Sequence, residues 1–135
     1  MYKKLTCLLL VAICLVFAGC KKDSEVNAFI TDYDAFSNEI VKHVDDSPNV
    51  AGVDAAQKYL DSKKADIRAK FEAFKDARGF QLSEDTTKKL TESVTRNVSA
   101  VNGLEVKYMS QSIQNSEFKS KLEKLVKDYN EIIKM

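Results

Sequence analysis

Cysteine is the most reactive residue type in this chain, and its placement is lopsided. Cys7, Cys14 and Cys20 all lie in the first twenty residues, and nothing after Cys20 carries a thiol. A disulfide needs two thiols, a structural zinc site needs about four thiolates or imidazoles, and a nucleophilic thiol needs a base. None of these sets can be assembled beyond residue 20. His43 is the only histidine. It falls in the last turn of a helical segment, where the helix dipole favours it without any ligand role. Attached haem needs Cys-x-x-Cys-His, which is absent. Free haem would have to take Met109 or Met135 as its second axial ligand. A di-iron site needs Glu-x-x-His on two helices, and the chain has no such motif. Asp45-Asp46 and Glu84-Asp85 read as charges at helix ends, and no twelve-residue calcium loop surrounds them. There is no Gly-x-Ser-x-Gly and no glycine-rich phosphate loop. The expectation is therefore no catalytic residues, no metal, no cofactor and no enzymatic activity. Tyr33, Tyr59, Tyr108 and Tyr129 read first as amphipathic core residues with the hydroxyl at the surface, and alternatively as hydroxyls presented to an apolar groove for a lipid or peptide.

The elements that hold these residues follow from composition. The chain has 135 residues, 44% hydrophobic and 30% charged, with four Gly and one Pro. Such a length allows one domain, and so few turn residues exclude a sandwich or barrel of many tight turns. Twenty-one basic residues against twenty acidic leave a formal charge of +1. That balance offers no basic surface for nucleic acid.

The first twenty residues form a unit of their own. Lys3 and Lys4 precede an almost wholly apolar run over residues 5–18. The run is shorter than the roughly 20 residues of a membrane-spanning helix and suits the core of a secretory signal. It ends in Phe17-Ala18-Gly19-Cys20. This ending resembles the lipobox of bacterial lipoproteins, in which small residues precede an invariant cysteine. Phe17 departs from the aliphatic residue usual in that family but keeps the position apolar. The resemblance covers residues 1–20 only. It implies that Cys20 receives a diacylglycerol, that the signal 1–19 is cut away, and that the new amino group is acylated. The lipid bilayer is then a partner through Cys20. In enterobacterial lipoproteins an Asp after the cysteine acts as an inner-membrane retention signal. Lys21 stands there instead, which implies the periplasmic face of the outer membrane. Cleavage leaves residues 20–135, with 19 basic and 20 acidic side chains.

Residues 20–23 make a very short tether, and 24–135 make a helical bundle. Four stripes of apolar residues at spacings of three and four predict helices over about 24–46, 53–78, 83–114 and 116–134. Val26, Phe29, Tyr33, Phe36, Ile40 and Val44 form the first stripe, capped by Asp23 or Ser24. Val53, Ala56, Leu60, Ile67, Phe71 and Phe74 form the second, closed by Gly79 as a C-terminal cap and by Phe80. Leu90, Val94, Val98, Val101, Leu104 and Tyr108 form the third, which starts at Ser83 and runs through Asn102-Gly103 as a tolerated glycine or a kink. Phe118, Leu122, Leu125, Val126, Tyr129, Ile132 and Ile133 form the fourth, capped by Asn115 or Ser116. Seven-residue seams also run from 87 to 129 and from 90 to 132. They would suit one coiled-coil rod of about 50 residues, near 75 Å long, in a dimer. The polar residues Ser110-Gln111-Ser112 and Asn115-Ser116 favour a break and an antiparallel four-helix bundle instead.

These readings describe a non-catalytic, membrane-anchored interaction or structural module of the cell envelope, with an envelope protein or the cell wall as partner. The wall-linked murein lipoprotein attaches through a C-terminal Lys, whereas this chain ends Lys134-Met135. The alternative is a module that binds a small apolar ligand between its helices. A packed core favours the first, and an apolar pocket of about 300 Å³ or more favours the second.

Overall fold

A computed structural model describes residues 2–77 and 81–134, with side chains from residue 22 onward. The described residues form five helices and no strand: α1 Tyr2–Asp46, α2 Val50–Glu72, α3 Glu84–Lys107, α4 Met109–Gln114 and α5 Ser116–Asn130. Helices α1, α2, α3 and α5 alternate in direction along the chain and form an antiparallel four-helix bundle.

Pairings fix their order around the bundle. α1 and α2 run antiparallel, with Lys70 of α2 on Asp32 of α1 at 2.8 Å. Partners between α1 and α3 keep a constant offset of about sixty residues: Asp23 with Ser83, Asp34 with Ser93, Asp45 with Lys107. These two neighbours are therefore parallel. α2 and α5 are parallel too, through Lys121 on Asp54 and Arg68 on the Glu131 carbonyl. α3 and α5 are antiparallel, through Tyr108 on Phe118 and Asn130 on Asn102. The link from α2 to α3 consequently crosses the bundle diagonally.

Helix ends show where sequence signals compete. The first helix does not start at 24. It is the latter part of a continuous α1, because nothing from Cys20 to Ser24 breaks a helix. Asp23 instead serves a different helix: its carboxylate accepts at 2.9 Å from the N–H of Ser83, the residue that caps α3. α2 starts at Val50 because Asn49 caps it, accepting from the Gly52 N–H at 3.2 Å. It ends at Glu72, short of 78. The next turns tighten to three-residue hydrogen bonds, which rotates Phe74 into the core beside Phe71. The proposed closure by Gly79 and Phe80 lies outside the described residues.

Ser83 caps α3 as expected, with Glu84 and Asp85 in the first turn. The helix passes Gly103 unbroken and stops at Tyr108, where φ is −108° and ψ 25°. One short helix follows, and Asn115 then caps α5 by accepting from the Phe118 N–H at 3.0 Å. The expected helix 83–114 is thus two pieces, and the long rod does not form. Gln111, read from the sequence as a breaker, donates to the Pro48 carbonyl at 2.7 Å and ties α4 to the α1–α2 turn.

The core is aromatic at its centre. Phe29, Tyr33, Phe36 and Tyr129 are at most 2% exposed, and neighbouring rings stand 5.4–6.5 Å apart. Such aromatic pairs contribute about 0.5–1.5 kcal/mol each beyond their burial.

The seam between α1 and α3 differs in kind. Asp23, Asp34 and Asp45 are eleven residues apart. Eleven residues make three turns with a drift of only about 20°, so the three acids share one face of α1. Asp23 meets Ser83 and the buried Thr86, Asp34 meets the buried Ser93 and Asn97, and Asp45 meets Lys107 and Tyr108, while Leu90, Val94 and Val98 are only half-buried. The stripe read from the sequence is therefore rotated: its first half flanks the contact, and polar residues fill it.

Candidate docking surface

The break at Tyr108 decides what the end of the bundle exposes. Tyr108 packs its ring on Phe118 and gives its hydroxyl to Asp45. α4 continues beyond it but buries no residue. Val106, Met109 and Ile113 are left 70%, 53% and 78% exposed, the largest apolar side chains so exposed among the described residues. Val106 lies in the last turn of α3, and Met109 and Ile113 belong to α4, on either side of the turn at Tyr108. Beside them an open groove of about 500 Å³ runs between α3–α4 and α5, lined by Glu105, Met109, Ile113, Lys119, Leu122 and Glu123. Lys119 lies 3.7 Å from Glu123. The core stripe of α3, with Val101, Leu104 and Tyr108, hides this patch in the sequence, where its signal is three large apolar residues, Val106, Met109 and Ile113, lying off that stripe.

The residues singled out from the sequence fall elsewhere. Cys20 lies outside the residues whose side chains are described. His43 Nε2 is 3.7 Å from Glu39 and its ring is 5.7 Å from that of Tyr59. Tyr33 and Tyr129 present no hydroxyl to a groove. Both are fully buried, with hydroxyls 2.7 Å apart, and the Tyr129 hydroxyl is 2.6 Å from Ser37 Oγ. Ser37 in turn donates to the Tyr33 carbonyl at 2.8 Å. Burial raises the Tyr33 phenol strongly and pushes Tyr129 up to about 12. Tyr59 lines a polar groove of about 230 Å³ with Asp32, Lys63, Asp66 and Lys70. Burial and then Glu39 raise its phenol.

The acids of the α1–α3 seam are engaged. Burial pushes Asp34 up, but bonds from Ser93 and Asn97 and the charge of Arg96 outweigh it and hold the carboxyl below its usual value. Asp45 behaves alike: burial opposes, and Lys107 and Tyr108 prevail. Among the described residues no three His, Cys, Asp or Glu side chains converge on one point. No helix of the described residues is long and apolar enough to cross a membrane. Compared with known proteins, the chain matches no family model, no curated protein and no solved structure.

Proposed function

We propose that this chain is a lipid-anchored, non-catalytic module of the cell envelope that works by docking to another component. The observation that carries the reading is the order of Lys3-Lys4, an apolar run and Ala18-Gly19-Cys20. Acylation of Cys20 would hold the bundle at a membrane, since each buried CH₂ contributes about 0.8 kcal/mol. Lys21 after the cysteine favours the periplasmic face of the outer membrane.

The fold supports docking over ligand storage. Phe29, Tyr33, Phe36 and Tyr129 fill the interior between the helices, and the larger spaces are open surface grooves, one of about 500 Å³ at the end and one of about 380 Å³ between α2 and α5 beside Ala65, Arg68 and Ile132. In the groove at Tyr59, Lys70 is held by Asp32 at 2.8 Å and Asp66 at 2.9 Å as a surface ion pair, which favours the non-catalytic reading.

Anchor and docking face lie at opposite ends. Lys22 reaches the Ala73 carbonyl at one end, and Asp45 meets Lys107 at the other. The 22 residues from Asp23 to Asp45 span about 33 Å of helix. Cys20→Ala tests the reading. The variant should remain an uncleaved, unlipidated precursor. Normal processing with retention in the membrane fraction would refute the anchor.

A further inference from the structure

The face at Val106, Met109 and Ile113 has an area, a charge and a position that together select its occupant. Three side chains exposed to this degree present on the order of 300 Å², well short of the roughly 800 Å² per partner in a standard interface. That is too little for a stable dimer of this chain and enough for two turns of one helix.

Charge points the same way. Glu105 has no ion-pair partner among the described residues. Glu123 has only Lys119, at 3.7 Å in the same groove. The groove therefore carries two carboxylates against one ammonium. A second copy would bring the same excess of acid and repel it. A helix flanked by Lys or Arg would neutralise it. Position removes a third occupant, because the lipid surface lies at the Cys20 end, some 33 Å of helix away.

We propose that this face takes a single basic amphipathic helix of a partner protein. Its apolar side chains would sit on Val106, Met109 and Ile113, and its Lys or Arg side chains would face Glu105 and Glu123. The inference rests on the lipid-anchored reading only for the direction in which the face points.

The test uses the full chain in cells, with a photo-crosslinking side chain in place of Ile113 and, as a control, of the exposed Lys88. The expected product joins Ile113 to another protein. Sequencing of the cross-linked peptide should show apolar residues at helical spacing and at least two Lys or Arg. Glu105→Lys with Glu123→Lys, both exposed and remote from the core, should cut the yield at least tenfold. A cross-link to a second copy, to lipid, or to an acidic or neutral peptide overturns the proposal. So does a yield no higher than at Lys88, or one that survives the charge reversal. Fractionating the same cells separates the two claims. A membrane-bound chain without the basic peptide defeats the docking proposal alone, and a chain free of the membrane defeats the anchor.

Discussion

Replacing Gly52 by alanine should unfold this bundle more readily, although alanine is the better helix former. Gly52 is buried in the first turn of α2 beneath the turn that leaves α1. A Cβ built there would stand 1.8 Å from the Ser47 carbonyl oxygen and 2.9 Å from that of His43. Real Cβ atoms essentially never approach within 3.0 Å, so the turn must retreat by about 1.2 Å. It is pinned from two sides. The Asn49 N–H donates to the Ser47 carbonyl at 2.7 Å, and Gln111 donates to the Pro48 carbonyl at 2.7 Å. Overpacking costs about 1–3 kcal/mol, and loosening the Gln111 bond costs about 1 more. Alanine's helix propensity returns about 1 kcal/mol. The net loss is about 2 kcal/mol, or roughly 8 °C of melting temperature for a domain of this size. Gly103→Ala is the control, since a Cβ there meets nothing within 4 Å. It should gain up to about 1 kcal/mol and melt roughly 4 °C higher. Thermal unfolding followed by circular dichroism, on the chain without residues 1–20, measures both. An unchanged or raised melting temperature for Gly52→Ala would refute the close approach of turn and helix.

Asp34→Ala should cost about 2 kcal/mol in urea unfolding, because Ser93 and Asn97 stay buried without their acceptor. Asp34 is held below its usual value, so its contribution is present above about pH 4, the unfolded value, and fades as pH falls through the folded one. Asp34→Asn should flatten that acid-side loss, and an identical pH profile would count against the seam. At high pH the sign reverses. Tyr33 and Tyr129 are raised by burial, so the stability they give is whole below about pH 10 and falls as pH climbs from there toward 12. Spectrophotometric titration should show two of the four tyrosines of the chain lacking residues 1–20 ionising only as the fold is lost. Tyr129→Phe leaves the Tyr33 hydroxyl without that partner in the core and should cost about 1–2 kcal/mol, measured by the same urea unfolding. Unfolding with and without chelator should give one melting temperature, and a large drop with chelator would reveal a metal.

Much of the fold was legible locally. Helical identity came from apolar spacing, and Ser83 and Asn115 announced two helix starts. Pro48 ended α1 where a residue before proline disfavours helix. The aromatic stripe Phe29, Tyr33, Phe36 predicted the centre of the core. The candidate site was less legible. Val106, Met109 and Ile113 are apolar residues off the core stripe, and their sequence does not say whether a neighbour covers them. Only the turn at Tyr108, drawn by Phe118 and Asp45 from other helices, leaves that face bare.

Three further features belonged to tertiary structure for the same reason. Asp23 looks like a cap for its own helix, yet it holds the N–H of Ser83, the cap of α3, because a parallel neighbour brings Ser83 to it across sixty residues. The first half of the third stripe lost its place to Thr86, Ser93 and Asn97, because Asp34 on α1 demanded donors. Gly52 showed nothing in its sequence surroundings of the carbonyl that passes over it. Amino-acid sequence by itself determined the helices and their approximate ends, since these depend on neighbours within a few residues. Which helices lie side by side, and which faces they leave open, was decided by contacts between segments far apart in the chain. Those contacts have no local signal, since each partner's side chain is compatible with several neighbours until the whole core is packed.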